Sequence, residues 1–481
     1  MKAEYILVAG ALFLLISILA SKLSAKLGVP ALIVFIGLGM LAGSEGPGGI
    51  AFADYKLANT LGMILLGFIL FASGMDTSWE MVRPVAWRAL SLATIGVAMT
   101  AGLVGLFAHY VLGFSIIEGL LLGAIVAPTD AAAVFSVLRT RGLTLKHRVT
   151  PLLEFESGAN DPVAVILTVG LVDLIANPER SVWPLVPSFL QQMPIGIAVG
   201  IAISMATVWL INHLRLEYDG LYPVLTLASA GGAYGAAYLL GGNGFIAVYV
   251  AGIVLGSKVF LHKIALTHFH DGLAWLFQII VFTALGLLVF PSQLVPIIGS
   301  GILLALFMTF IARPAAVFIS LAFARMGRRT RFFVAWAGLR GAFPIILGTF
   351  PLLAGLERGY QIFNLVFFVV VASVLMQGTT LRLVARKLGM LSGSGSEDDL
   401  TPASQSDLLE ITLADESPAV GKQVVELGLP STALIVLLKR EEGNYIPRGS
   451  TILMSGDELL VATRREDRDE LAMRLRGSEG L

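Results

Sequence analysis

The stretch Leu152-Leu153-Glu154-Phe155-Glu156-Ser157-Gly158-Ala159-Asn160-Asp161-Pro162 puts three carboxylates and a carboxamide into an otherwise apolar run. Apolar residues continue beyond it through residue 176, long enough for a helix that crosses a bilayer. A charge near the bilayer centre costs about 2.5–3.5 kcal/mol on insertion scales, so such residues mark a functional site by default. On a helix, Ser157 stacks under Asp161 and Glu156 under Asn160, each pair four residues apart. Glu154 lies near an end of the run, where water can reach it. Glu156 and Asp161 lie deeper and need partners. The plainer alternative is a polar cluster that only holds helices together.

The rest of the chain has the composition of a membrane protein. Of 481 residues, 56% are hydrophobic and 14% charged, with a mean hydropathy of +0.83. Soluble domains are about 45–50% apolar and about 25% charged. The net charge of zero gives no electrostatic footprint for nucleic acid. With no cysteine, disulfides, thiolate zinc sites, iron–sulfur clusters and thiol catalysis are excluded. We expect an all-α polytopic membrane protein with thirteen spans, near 4–22, 28–43, 57–76, 84–110, 116–138, 151–176, 186–212, 221–240, 243–257, 271–290, 294–324, 331–354 and 360–381. The first is not read as a cleaved signal peptide, because Lys22 and Lys26 follow its apolar stretch rather than precede it.

Charge divides the chain. Residues 1–390 hold 24 Lys and Arg against 16 Asp and Glu, and residues 391–481 hold 9 against 17. The expected organisation is therefore a membrane domain over 1–390, a flexible linker over 391–406 and a small soluble domain over 407–481. Alternate connections between spans carry 18 basic residues, from Lys22 to Lys387, and the others carry only Lys2, Lys56, Arg180 and Arg358. The positive-inside rule puts the first set in the cytoplasm, the N-terminus outside and the soluble tail inside.

Three more motifs place polar groups at membrane depth. In the fifth span, Ala127-Pro128-Thr129-Asp130 combines a residue that cannot continue the hydrogen-bond ladder with a hydroxyl and a carboxylate. Freed carbonyls beside these oxygens suit a cation. Arg313 lies mid-way along the eleventh span, and Arg340 lies in Gly338-Leu339-Arg340-Gly341-Ala342 of the twelfth, a second span with a break. An arginine paired with one carboxylate fixes it as ionised and leaves the other free to titrate. A carboxylate that holds a proton or a cation, but not both, is the minimal exchanger. Spans five and twelve run in opposite directions and are both interrupted, which points to inverted repeats with broken helices crossing at the midplane.

Thr129-Asp130, Glu156-x-x-x-Asn160-Asp161, Ile311-Ala312-Arg313 and Gly338-Leu339-Arg340-Gly341-Ala342, in this order along residues 1–390, resemble the NhaP/NHE-type monovalent cation/proton antiporters. The resemblance implies an NhaA-like fold and electroneutral exchange of one cation for one proton. It implies an elevator-like movement of a core domain against a dimerisation domain, in a homodimer of a cell inner membrane. Asp161 would carry the exchanged ion, with Thr129, Asp130, Ser157 and Asn160 completing the site. Glu156 would pair with Arg313, while Arg340 steadies the crossing; no metal beyond the transported cation is implied. Many sodium-type members have a Leu-Phe-Glu-Gly-Gly pattern where this chain reads Leu70-Phe71-Ala72-Ser73-Gly74, which favours potassium over the sodium alternative.

In the tail, runs 408–413, 433–438, 452–454 and 459–462 read as strands, and 424–427 and 467–475 as helical. Ser417-Pro418-Ala419-Val420-Gly421-Lys422, Ile446-Pro447 and Gly456-Asp457-Glu458 resemble the C-terminal lobe of RCK (TrkA-C) domains, which regulate potassium channels and transporters. A regulatory nucleotide at 407–481, such as a cyclic dinucleotide, is implied; NAD is not, because no Gly-x-Gly-x-x-Gly lobe is present. A dimer-stabilising appendage is the blander alternative. His268 and His270, read as lying at a cytoplasmic loop, are expected to be a solvated pair. A ligand-gated potassium channel is the main rival, and it lacks a Thr-Val-Gly-Tyr-Gly-like filter. A membrane enzyme lacks a nucleophile–base–orienter set. A sensor without transport would be indifferent to loss of Asp161.

Overall fold

The computed structural model describes residues 3–391 apart from 28–29, 140–142, 147, 182, 215, 217, 259 and 261. It also describes 406–464 apart from 415–416, 430–432, 441–442 and 446, together with 471 and 475. Arg141, Arg215, the linker at 392–405, Ile446 and most of 467–475 lie outside the described residues. The chain separates into two compact units, Met1–Ser392 and Gly393–Leu481.

The first unit is helical. In chain order we label α1 (Ala3–Leu27), α2 (Ala31–Ala42), α3 (Tyr55–Asp76), α4 (Ala86–Leu112), α5 (Ile116–Val126), α6 (Ala131–Arg139), α7 (Val149–Ala176) and α8 (Leu185–Leu214). There follow α9 (Leu221–Leu239), α10 (Gly244–Ser257), α11 (Lys263–Leu287), α12 (Pro291–Ser320), α13 (Arg328–Trp336), α14 (Ala342–Leu353) and α15 (Gly359–Leu388). Among the described residues, seven of these helices are long and apolar enough to cross a membrane, or eight if the bent pair α5 and α6 forms one span.

Local chemistry sets several ends. Asp54 and Asn243 cap α3 and α10 by accepting the Leu57 and Ile246 N–H groups at 2.9 and 3.1 Å. Ser115 and Glu118 form a reciprocal box that starts α5. Pro128 and the residues after it stop α5, and α6 leaves at a bend of 40°. Among the described residues, three helices contain one π-helical segment each, at Leu92–Gly96, Met308–Ala312 and Val374–Gly378. Large apolar side chains such as Ile298, Ile302, Leu306 and Phe310 recur at helical spacing on the outside of α12, a surface suited to lipid rather than water.

Among the described residues, two large groups of buried side chains divide this unit, beside a small third one at Val97, Ala127 and Val163. The smaller is built from one face of α3, with α8, α9, α10 and the start of α11. The larger holds α4 to α7 and α12 to α15, with α2 and the rest of α11. Helices α3 and α10 belong to both large groups, with Leu66 and Leu70 of α3 in the larger and Phe71 and Met75 in the smaller. The small residues of Gly196-Ile197-Ala198-Val199-Gly200 let α8 pack closely on α10: a Cβ at Gly196 would come within 2.7 Å of the Asn243 carbonyl.

One expectation for this unit is corrected here. Helix α11 begins at Lys263, eight residues before the expected 271, so His268 and His270 are helical rather than in a loop. His268 is exposed, but His270 is only 2% exposed and shares a 2.8 Å hydrogen bond with the Thr226 hydroxyl. Helix spacing sends neighbours two apart to different faces, so the pair does not act together.

The second unit contains a four-stranded antiparallel sheet in the order β1-β4-β2-β3: β1 Ser406–Thr412, β2 Leu434–Arg440, β3 Gly443–Tyr445 and β4 Glu458–Arg464. Residues 452–454, expected as a strand, instead make one isolated bridge from Ile452 to Gln423. A turn over 455–456 leaves them too short to join the ladder. Val424–Leu427 is a single 3-10 turn. The Arg440 guanidinium makes a forked ion pair with the buried Asp457 at 2.7 and 2.9 Å, and the core includes Ile411, Leu438, Leu453, Leu459 and Val461.

Candidate functional site

The gap between α5 and α6 meets the gap between α13 and α14. The Asp130 N–H donates to the Leu339 carbonyl at 2.7 Å, so the α5/α6 gap and the α13/α14 gap satisfy each other's freed backbone groups. Gly341 is required by this approach: a Cβ there would overlap the Asp130 carboxylate. Arg340 bridges the two gaps. Its Nε donates to the Val126 carbonyl at the end of α5 at 3.1 Å, and Nη1 donates to the Gly338 carbonyl. A cation at a helix C-terminus offsets the negative end of the dipole.

Helix α7 packs beside the first break and holds it in shape. Ser157 accepts from the Ala131 N–H at 3.0 Å and donates to the Thr129 carbonyl at 2.7 Å. Asn160 Nδ2 donates to Thr129 Oγ1 at 2.8 Å. Asp130 Oδ1 accepts from the Ala133 N–H at 3.0 Å and so caps α6. Pro162 lies inside α7 and offers no N–H to the Gly158 carbonyl four residues before it, which leaves that oxygen on the same stretch as Asp161.

A cavity of about 70 Å³ lies where these elements converge. Thr129, Asp130, Ser157 and Asp161 line it, with Gln278 of α11 and Phe343 of α14. Asn160 is buried and reaches this group through Thr129. A second cavity of about 1120 Å³ shares Asp130, Ser73 and Gln278 with the first and extends along Glu154 and Asp271 to the exposed Arg382, Arg386 and Lys387 of α15. The small site therefore adjoins a large one on the side that carries the basic end of α15.

Glu156 faces away from both cavities. Its carboxylate is 2.6 Å from the Arg313 guanidinium, with the two side chains 1% and 3% exposed. A buried charge without a partner would be costly. Arg340 lies between the two gaps and is not the nearer partner of Glu156. Among the side chains overlooked in the sequence, Ser373 and Gln377 are buried in α15 and hold the second break. Ser373 accepts from the Arg340 N–H at 3.3 Å and donates to Gln377 at 2.5 Å, and Gln377 donates to the Trp336 carbonyl at 3.1 Å. Two polar side chains four apart in an apolar span were the available signal. Gln278 carried a similar one.

The profile for the transmembrane sodium/hydrogen exchanger matches residues 11–387. The chain belongs to the sodium/hydrogen exchanger family. A second profile, the TrkA-C domain, matches residues 408–476 of this exchanger. It is 40% identical over 472 residues to the "K(+)/H(+) antiporter NhaP2" of Shewanella baltica, covering 96% of this chain and 81% of that one. It is 39% identical over 469 residues to the "K(+)/H(+) antiporter NhaP" of Alkalimonas amylolytica, covering 96% and 81%. To the "Na(+)/H(+) antiporter ApNhaP" of Aphanothece halophytica it is 30% identical over 361 residues, covering 71% and 68%. In fold, the exchanger is similar to the sodium proton antiporter MjNhaP1 of Methanocaldococcus jannaschii, with a TM-score of 0.68 at 23% identity, covering 79% of this chain and 100% of that one.

Proposed function

We propose that this exchanger is a potassium/proton antiporter that trades one monovalent cation for one proton, electroneutrally, by alternating access. The observation that carries the chemistry is Asp161, a carboxylate lining a small cavity where two gaps between helices meet. It can hold a proton or a cation, and either leaves it neutral overall. Thr129 and Asp130 would supply further oxygens, while Ser157 and Asn160 shape the site through their bonds to the break. Glu156 and Arg313 form the structural ion pair, and Arg340 supports the crossing. The preference for potassium rests on two relatives named K(+)/H(+) antiporters that match over 96% of the chain, against a sodium-named one that matches over 71%. Ala72, in the Leu70-Phe71-Ala72-Ser73-Gly74 stretch, fits the same choice.

In this reading all thirteen stretches cross the membrane, with the pairs α5/α6 and α13/α14 as the crossing broken helices of two inverted repeats. The chain acts as a homodimer in the inner membrane, N-terminus outside and tail in the cytoplasm. The 1120 Å³ cavity is then the cytoplasmic entry, since its rim holds Arg382, Arg386 and Lys387. Residues 1–390 transport, 391–406 link, and the TrkA-C domain at 407–481 regulates through a small ligand such as a nucleotide.

The test is proton flux in proteoliposomes with a preformed pH gradient, adding K⁺ or Na⁺, for the full chain and for Asp161→Asn. Collapse of the gradient by K⁺, lost in the variant, is expected. Collapse by Na⁺ alone would keep the exchange and discard potassium. Cation flux that ignores the proton gradient would favour a channel and sink the antiporter.

A further inference from the structure

One helix face touches both halves of the ion site. Along α10, Phe245, Tyr249 and Ile253 recur every four residues and pack with the larger core, while Ala247, Val248, Ala251 and Leu255 pack with the smaller one. Phe245 meets Phe343, a wall of the 70 Å³ cavity, edge to face at 5.5 Å. Tyr249 meets the other half. Its ring occupies the space that a Cβ on Gly158 would need, directly between Ser157 and Asp161 in sequence. Its hydroxyl donates to the Glu154 carbonyl at 3.3 Å. The ring is 3% exposed, and Phe155 stands beside it at 6.1 Å.

We propose that Tyr249 is a positioning residue whose ring, seated in the notch left by Gly158, sets the register of α7 and so of Asp161 against α10. This rests on the exchanger reading above, because a site that serves two sides of a membrane must move past the helices on which it packs. The notch accepts the ring in one register only, since sliding α7 by a residue along α10 would bring a side chain against the aromatic face. Tyr249 lines neither cavity, so its effect falls on the rate at which the register is left and regained, and not on how tightly the cation is held.

Gly158→Ala, Tyr249→Ala, Tyr249→Phe and the double Gly158→Ala/Tyr249→Ala test it in proteoliposomes, with kcat and KM for K⁺ read separately from decay of a preformed pH gradient. Gly158→Ala should lower kcat by about tenfold or more, because displacing a reacting group by even an ångström has effects of that size. Tyr249→Ala should change kcat by about threefold or more with KM within about twofold, and Tyr249→Phe should move kcat less in the same direction. The double variant should recover about threefold over Gly158→Ala, since the vacated ring leaves room for the methyl. A double no faster than Gly158→Ala, or a change confined to KM, would overturn the proposal. Should Gly158→Ala fail to fold, the kcat of Tyr249→Ala decides alone: a wild-type value overturns the proposal and a changed one with steady KM supports it. No cation-dependent flux in the unmodified chain would sink the exchanger reading and this inference with it; flux there without recovery in the double sinks this inference only.

Discussion

The break between α5 and α6 and the break between α13 and α14 touch one another, yet they are built from opposite chemistry. The first carries Thr129 and Asp130 and borders the cavity that holds Asp161. The second carries Arg340, whose guanidinium is given to the Val126 and Gly338 carbonyls. A guanidinium spent on backbone carbonyls is not available to neutralise a carboxylate. The other buried arginine, Arg313, is at ion-pair distance from Glu156. Both fixed positive charges are therefore committed to fixed negative ends, and the acidic break is left to face whatever enters the cavity.

The largest effect expected separates the two arginines. Arg313→Ala leaves the Glu156 carboxylate buried without its cation and should cost about 3–5 kcal/mol, enough to abolish most folded yield. Arg340→Ala leaves backbone carbonyls rather than a charge, and should cost about 1–3 kcal/mol. Heating profiles of detergent-purified protein check the order, and equal tolerance of both would break the comparison. Next is Gly341→Ala, which pushes a methyl into the Asp130 carboxylate and should lower cation-driven proton flux about tenfold. Flux within twofold of the parent would mean that the two breaks are not rigidly apposed.

Smaller still is Ser157→Ala. It removes one bond to the Thr129 carbonyl and one from the Ala131 N–H, worth about 1–2 kcal/mol together, and should raise KM for the cation by loosening the acidic break alone. The smallest concerns the joint between the turn after α2 and the start of α12. There Glu45 accepts from the Ser292 N–H at 2.8 Å and from its hydroxyl, which holds its exposed carboxyl below the usual range. With a lowered folded-state pKa, this contact is present above the unfolded value and is lost as pH falls through the folded one. Glu45→Gln should therefore match the parent's thermal midpoint in strong acid and fall slightly below it at neutral pH; a midpoint difference that grows on acidification would contradict the assignment.

Much of this was legible beforehand, for identifiable reasons. Pro128 and the glycines around Arg340 announce breaks because they deny the backbone its ladder, and Asp161 announces a site because hydrocarbon does not tolerate idle carboxylates. The Glu156 and Arg313 pairing was preferred over Arg340 only through the family resemblance, since spacing cannot say which faces of two distant helices meet. Tyr249 and Gly158 escaped notice because a tyrosine in an apolar span and a glycine in a helix are ordinary when read singly, and their fit exists only between helices. His270 was misplaced because helix α11 starts earlier than its apolar stretch suggests. In the tail, β3 has three residues and borrows its order from β2 rather than from its own pattern.

The π-helical segment Met308–Ala312 ends immediately before Arg313. A π turn accommodates one residue more than the α-helical count, and one residue corresponds to a rotation of about 100° around the axis. Wheel diagrams drawn straight through α12 thus assign its second half to the wrong faces. Deleting a single residue within that segment would restore a regular helix and swing the guanidinium out of phase with Glu156. The ion pair is consequently encoded as much by a surplus residue as by the identity of the arginine, and aligned chains that lack the surplus can carry the same arginine without the same partner.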